Sequence, residues 1–243
     1  EFSINNLGEI IWQKNIIGRL VRGNLIYKPS VIPIISDIIP SSIVEKIKTR
    51  IEYFINNYIK QNFSSLFSII DDKEIVGISS GLVFIISEHL GVLSKDHVKK
   101  EVKSLDQDCR SKFRKYGFRF GQYSVYHPLF LKPEPTRLRM TLWKIFNQVE
   151  KSIDPPLPGL VTIPILDGVE NTYYEVVGFK NLGSRAIRID MLERLADLIR
   201  AEDTKKGFKA TSEMLSITGL SFIQLKDILE NLGYKSENIP LPE

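Results

Sequence analysis

Cysteine is nearly missing from this chain. Cys109 is the single one in 243 residues, so no internal disulfide can form. Histidine is scarce too, and His89, His97 and His127 are too scattered to build a zinc cluster with it. A reducing, cytoplasmic compartment is the expectation. No apolar run approaches the roughly 18 residues of a membrane helix; Gly81 to Ser87 reaches about a third of that. The first residues, Glu1-Phe2-Ser3-Ile4-Asn5, are neither basic nor continuously apolar, as a secretory signal would be. An initiator Met is also lacking, and the close at Pro240-Leu241-Pro242-Glu243 reads as a linker, which suggests a fragment of something longer.

The motifs of nucleotide chemistry are absent as well. No Gly is followed by Lys, which excludes a phosphate-cradling P-loop. There is no Asp-Glu pair to hold a catalytic magnesium, no Gly-x-Gly-x-x-Gly and no His-Glu-x-x-His. Neither an NTPase nor a dinucleotide enzyme is expected in this stretch, and no cofactor or metal.

What is present is a globular composition, 43% apolar and 26% charged, enough to bury a core. The net charge of +4 hides an asymmetry. Lys95 to Lys144 holds 13 basic residues against five acids, a net of +8, while the remainder holds 20 bases and 24 acids. Such a segment in an otherwise acidic chain suggests a surface that faces a polyanion. Two ordinary solvated helix faces are the bland alternative.

Turn signals at Gly8-Glu9, Lys14-Asn15 and Gly23-Asn24 divide Phe2 to Ile35 into three or four strands, a β-rich lobe over residues 1–40. Pro29, Pro33 and Pro40 punctuate its end. A helical domain follows over 41–153. Ser42 and Glu45 have capping-box spacing, and Ile43, Ile47, Ile51, Phe54, Ile55 and Tyr58 form one apolar stripe. Further helices are predicted over Ser79 to Leu90, from Ser94 through Val98, Val102, Leu105, Cys109 and Phe113, and from Pro135 through Leu138, Leu142, Ile145, Phe146 and Val149. Asp154-Pro155-Pro156-Leu157-Pro158-Gly159 is the clearest linker, and a third domain is placed at 160–243. Its predicted strands are Leu160 to Ile165, Thr172 to Phe179 and Arg185 to Ile189. Helices follow from Asp190, with Glu193 as its capping partner, over Ser212 to Ile217, and over Ser221 to Leu232, capped by Gln224 and stopped at Gly233. The fold class is α+β: a small β lobe, a helical block and a winged-helix-like module.

Three constellations carry possible chemistry. Gly77-Ile78-Ser79-Ser80-Gly81 matches a nucleophile elbow, but Lys73-Glu74-Ile75-Val76 makes a poor buried strand before it. Close helix packing explains those small residues better, and serine hydrolysis is the remote reading. The stretch from Arg110 to Lys144 interleaves cations and aromatics, which is what single-stranded nucleic acid requires of a protein. Its candidate contacts are Arg114, Lys115, Arg119, Tyr123, Lys132, Arg137 and Arg139. Competing explanations are the macrodipole at a helix C-terminus for Lys112, Arg114 and Lys115, and core packing for Phe113 and other aromatics. The last three helices have helix-turn-helix spacing, yet Gln224, Lys226, Asp227, Glu230 and Asn231 leave the reading face nearly neutral. A structural or protein-contact use fits that face better than sequence-specific DNA reading.

Longer stretches carry a family resemblance. Tyr116-Gly117-Phe118-Arg119-Phe120-Gly121-Gln122-Tyr123 and His127-Pro128-Leu129-Phe130-Leu131-Lys132-Pro133 are the first, with Val102 to Asp108, Arg188 to Arg200 and Met214 to Tyr234 in support. In these the chain resembles the region after the motor core of alphaproteobacterial helicase-related proteins, relatives of the mitochondrial degradosome DExH RNA helicase. The resemblance implies an ATP-driven superfamily 2 helicase whose ATP and magnesium sites lie upstream, with single-stranded or structured RNA and other domains of the same helicase as partners. It transfers no catalytic residue to this chain. Where the family often has a longer loop, this chain has only Ala201 to Gly207. The expected function is an accessory RNA-binding region without a motor. The alternative is a protein-interaction scaffold that docks the helicase on a partner. The two differ in whether Arg114, Arg119, Arg137 and Arg139 converge on an open groove or pair with Asp106, Asp108 and Glu134.

Overall fold

The computed structural model describes residues 2–35, 39–149, 153–202 and 207–237. The architecture is mixed α+β. It begins with an antiparallel meander of four strands in chain order, β1 (Phe2–Ile4), β2 (Glu9–Trp12), β3 (Asn15–Leu25) and β4 (Lys28–Pro33). Gln13 and Lys14 both adopt positive φ, 47° and 69°, so the β2–β3 hairpin closes with a two-residue turn whose twist suits the strands. Gly23-Asn24 is not a turn. It lies inside β3 at an irregularity of register, where a Cβ on Gly23 would overlap the Lys28 carbonyl. The chain reverses instead at Ile26 and Tyr27, both buried, with the Tyr27 ring edge-on to Phe67 at 5.6 Å. Burial of two apolar side chains outweighs turn composition here.

One face of this sheet meets α1 (Ser41–Asn62) and α6 (Pro133–Asn147). Between them run α2 (Ser64–Ile70) and α3 (Ile78–Glu88), then β5 (Val92–Ser94), a 3-10 turn (Lys95–Val98), α4 (Lys99–Ser104) and α5 (Gln107–Lys115). The strands β6 (Arg119–Phe120) and β7 (Ser124–Tyr126) complete a small sheet in the order β5-β7-β6. A single core joins these elements, including Ile10, Leu20, Ile51, Ile55, Leu82, Ile86, Phe113, Phe118 and Leu138. The helix expected from Ser94 onward is broken into three. Asp106 supplies the break, because its carboxylate accepts the Cys109 N–H at 2.7 Å and starts α5 afresh. The Ser42/Glu45 box does not form: α1 starts after Pro40 without a side-chain cap, and Glu45 turns to Lys48.

The C-terminal part has β8 (Thr162–Pro164), α7 (Asn171–Val176), β9 (Phe179–Asn181) and β10 (Arg185–Arg188), in sheet order β8-β10-β9. The strand expected at Thr172 to Phe179 is a helix followed by a short strand. A strand would send Tyr173 and Tyr174 to opposite faces, whereas both rings are buried together, 5.1 Å apart. Helices α8 (Ile189–Ala201), α9 (Ser212–Thr218) and α10 (Phe222–Asn231) then pack around Leu192, Leu195, Met214, Leu225 and Ile228. The Ser221/Gln224 capping box is formed in full. All three strands of this part precede its helix trio. Most of the short loop after Ala201 and the Pro240–Glu243 end lie outside the described residues. No helix among the described residues is long and apolar enough to cross a membrane.

Residues after the Pro-rich break remain in close contact with those before it. Met140 of α6 packs among Ile163, Tyr173, Tyr174 and Phe179, while Tyr123 packs against the α8–α10 core. His97 Nε2 lies 2.9 Å from Glu175, and Lys180 lies 3.8 Å from Asp96.

Candidate nucleic-acid interface

The basic segment is divided by burial into an exposed half and a structural half. Helices α4 and α5 are clipped together by Arg110, whose guanidinium donates to the Val102 carbonyl at 2.7 Å and to that of Leu105 at 3.3 Å. Their inward sides carry Val102, Leu105 and Phe113 into the core. Their outward sides present Lys99, Lys100, Lys103, Arg114 and Lys115, and Arg119 follows on β6, all exposed. None of these cations forms an ion pair among the described residues, whereas neighbouring Lys112 is held by Glu74 at 3.7 Å. Lys115 lies 5.9 Å from the Tyr116 ring, and Arg119 sits beside the Tyr126 hydroxyl across the β6–β7 pair. Lys132, the residue before α6, is exposed and also lacks an ion pair among the described residues.

The other three candidates are corrected. Arg139 is 1% exposed, and its guanidinium donates to the carbonyls of Val176 at 2.5 Å and Phe130 at 2.8 Å. Burial pulls its pKa down to about 9, and with carbonyl acceptors around it the group fastens α6 to α7. No RNA phosphate reaches it. Arg137 is 23% exposed and holds Glu134 at 2.5 Å, the Ile4 carbonyl at 3.1 Å and the Tyr58 hydroxyl at 3.0 Å, so it ties α6 to α1 and the first hairpin. The Arg137 hydrogen bonds hold the Glu134 carboxyl below its ordinary range. Tyr123 is half-buried, with Lys180 Nζ 6.0 Å from its ring and burial raising its hydroxyl pKa. Its ring already has a packing surface, so it is no open stacking platform. The four arginines therefore divide: Arg137 pairs with Glu134, Arg139 is internal, and Arg114 and Arg119 stay open without pairing to Asp106 or Asp108.

The segment Gly121-Gln122-Tyr123-Ser124 has a role that sequence reasoning missed. Glu193 of α8 is buried, and its carboxylate accepts the backbone N–H groups of Gln122 at 2.5 Å, Tyr123 at 2.9 Å and Ser124 at 2.8 Å. Gly121 is small of necessity, since a Cβ there would overlap that carboxylate. Burial raises the Glu193 pKa against the lowering effect of these three donors and of Lys95. The Asp190/Glu193 capping box is consequently not formed; Asp190 instead pairs with Arg188 at 2.7 Å. A glycine before a loop and an acid on an apolar helix face were the available signals.

The nucleophile elbow is absent as well. A loop precedes α3, and Ser79 Oγ is buried with no hydrogen-bond partner among the described residues, so none of them addresses it as a base. His127 is a core residue, its Nδ1 accepting the Leu129 N–H at 3.2 Å and its ring stacked on Phe130 at 4.3 Å. Among the described residues no group of three or more His, Cys, Asp or Glu converges to hold a metal. No protein-family model, no curated protein and no solved structure matches the chain.

Proposed function

We propose that this chain is an RNA-binding accessory region, and that it serves a superfamily 2 helicase whose ATP and magnesium sites lie in another part of the parent protein. The helicase relation rests on the motifs from Tyr116 to Pro133 and from Arg188 to Arg200. The binding reading rests on one observation: Lys99, Lys100, Lys103, Arg114, Lys115 and Arg119 are exposed on two clipped helices and an adjoining strand, with no ion pair among the described residues. Cations left open in this way have a phosphate backbone as their natural counterpart, and binding them releases condensed counterions. RNA is captured by its charge, without a chemical step and without reading base sequence.

The test is titration of labelled single-stranded RNA across a salt series. Affinity should fall with salt at a log–log slope of about −0.7 per phosphate neutralised. Replacing Arg114, Lys115 and Arg119 with Gln should flatten the slope by about two units, whatever the RNA sequence. A structured RNA hairpin in the same series reports whether a strand or a shape is preferred. No binding by the whole chain at about 50 mM salt would remove the assignment. The scaffold reading would then stand, favoured by adjacent Phe222 and Ile223, 63% and 79% exposed at the start of α10.

A further inference from the structure

We infer that the outer face of α1 is a second contact surface for single-stranded nucleic acid, one that stacks a base on Tyr53 between phosphates held by Lys46, Arg50 and Lys60. This surface goes beyond the α4–α5 reading, because it adds an aromatic platform that those helices lack. Ile51, Ile55 and Ile59 bury one side of α1 in the core. At about 100° per residue, the side directly opposite carries Lys46, Arg50, Tyr53, Asn57 and Lys60. The three cations are exposed and without ion pairs among the described residues. Tyr53 is 64% exposed, and its hydroxyl has no hydrogen-bond partner among the described residues.

Acids do not interrupt this face. Glu45 and Glu52 project toward one flank, and Glu45 is held by Lys48 at 4.0 Å. On a solvated helix face, acids and bases at three- and four-residue steps stabilise each other, and like charges at those steps do the reverse. Here the sequence of groups is cation, cation, aromatic, amide, cation over about 21 Å of helix, at about 1.5 Å per residue. The ladder is complementary to a strand that offers phosphates and π-faces in turn. Tyrosine suits it because every base has a face to stack, so the surface is tolerant of sequence.

The experiment uses the whole chain with a labelled 15-nucleotide oligouridylate, and oligothymidylate as a second arm, across salt. Tyr53→Ala should weaken binding about 5- to 150-fold and leave the salt slope unchanged, because stacking releases no counterions. Tyr53→Phe should bind like the wild type. Substituting Lys46, Arg50 and Lys60 together with Gln should flatten the slope by about two units. Equal loss in Tyr53→Phe and Tyr53→Ala would refute stacking. Wild-type binding in both Tyr53→Ala and the triple variant would overturn this surface while leaving the α4–α5 assignment intact. If the wild type itself fails to bind, both assignments fall. Melting temperatures matching the wild type's confirm that each variant is folded, as side chains this exposed permit.

Discussion

Removing the Glu193 carboxylate should loosen the whole molecule at one point. In Glu193→Ala, three backbone donors lose their acceptor: the Ser124 N–H, which is buried, and those of Gln122 and Tyr123, which are part-buried. A buried donor left unpaired costs about 1–3 kcal/mol, and donors that water can reach cost less. Loss of the carboxylate also relieves its desolvation, the chief reason its pKa is raised. The balance is a destabilisation of about 2–4 kcal/mol. Glu193→Gln keeps the shape and one acceptor oxygen, which can still serve Tyr123 and Ser124 while the amide faces the Gln122 N–H, so about half that loss is expected. Urea unfolding of the whole chain at pH 7 measures both, with an unchanged m-value as the sign that unfolding remains cooperative. The pH dependence has a definite direction. A carboxyl whose folded pKa is raised binds its proton more tightly when folded, so stability falls as pH rises from the ordinary value of 4.5 through the folded value, then levels off. The wild type's advantage over Glu193→Gln should therefore shrink across that window. A loss below about 0.5 kcal/mol in Glu193→Ala, or an advantage that grows with pH, would refute the argument.

Two further outcomes follow from the packing and the charge pairs. Ile228→Ala, a fully buried position of the α8–α10 core, should cost about 2–5 kcal/mol, and Leu229→Ala, half-buried beside it, distinctly less; equal costs by urea unfolding would mean α10 is rotated from its described face. The Arg137 hydrogen bonds hold the Glu134 carboxyl below its ordinary 4.5, so their stabilisation is present above that pH and lost as pH falls through the folded value. Wild type and Arg137→Gln should therefore differ at pH 7 and converge in acid, and a pH-independent difference would assign Arg137's effect to packing alone.

Elements with a strong apolar period were legible in the sequence. The α1 stripe holds at Ile51 and Ile55, though Ile43 is exposed and the buried Ile59 lies outside it, and the Ser221/Gln224 cap of α10 follows from local pattern, because its groups lie within a few positions. The failures share a cause at longer range. Glu193 has capping-box spacing, but its carboxylate goes to the loop at Gln122, 71 positions away in the chain. Tyr173 and Tyr174 read as strand until a common burial site makes them helical. Among the seven candidate contacts, residue type identified the cations but not their partners. Arg114 and Arg139 have the same chemistry in sequence, and only the third dimension places one in water and the other against the Val176 carbonyl. The interleaved aromatics of Arg110 to Lys144 stand out in sequence by a net charge of +8, whereas Tyr53 lies in α1, whose net charge is only +2.

The Glu193 cradle also governs which substitutions this protein can tolerate through descent. Its donors are main-chain amides, and a main-chain amide is the same in every residue except proline. Gln122 is exposed, and exchange of its side chain for any but proline gives up its bonds to Tyr123 and Arg200 while the cradle's donors stay in place. Gly121 has less latitude, since a larger residue there displaces the Glu193 carboxylate. A lineage that enlarges residue 121 must move the acid or rebuild the loop, whereas one that changes Glu193 loses an acceptor and keeps room for the glycine. Relatives of this chain that keep the distant acid should thus keep the glycine, in a segment whose intervening letters vary.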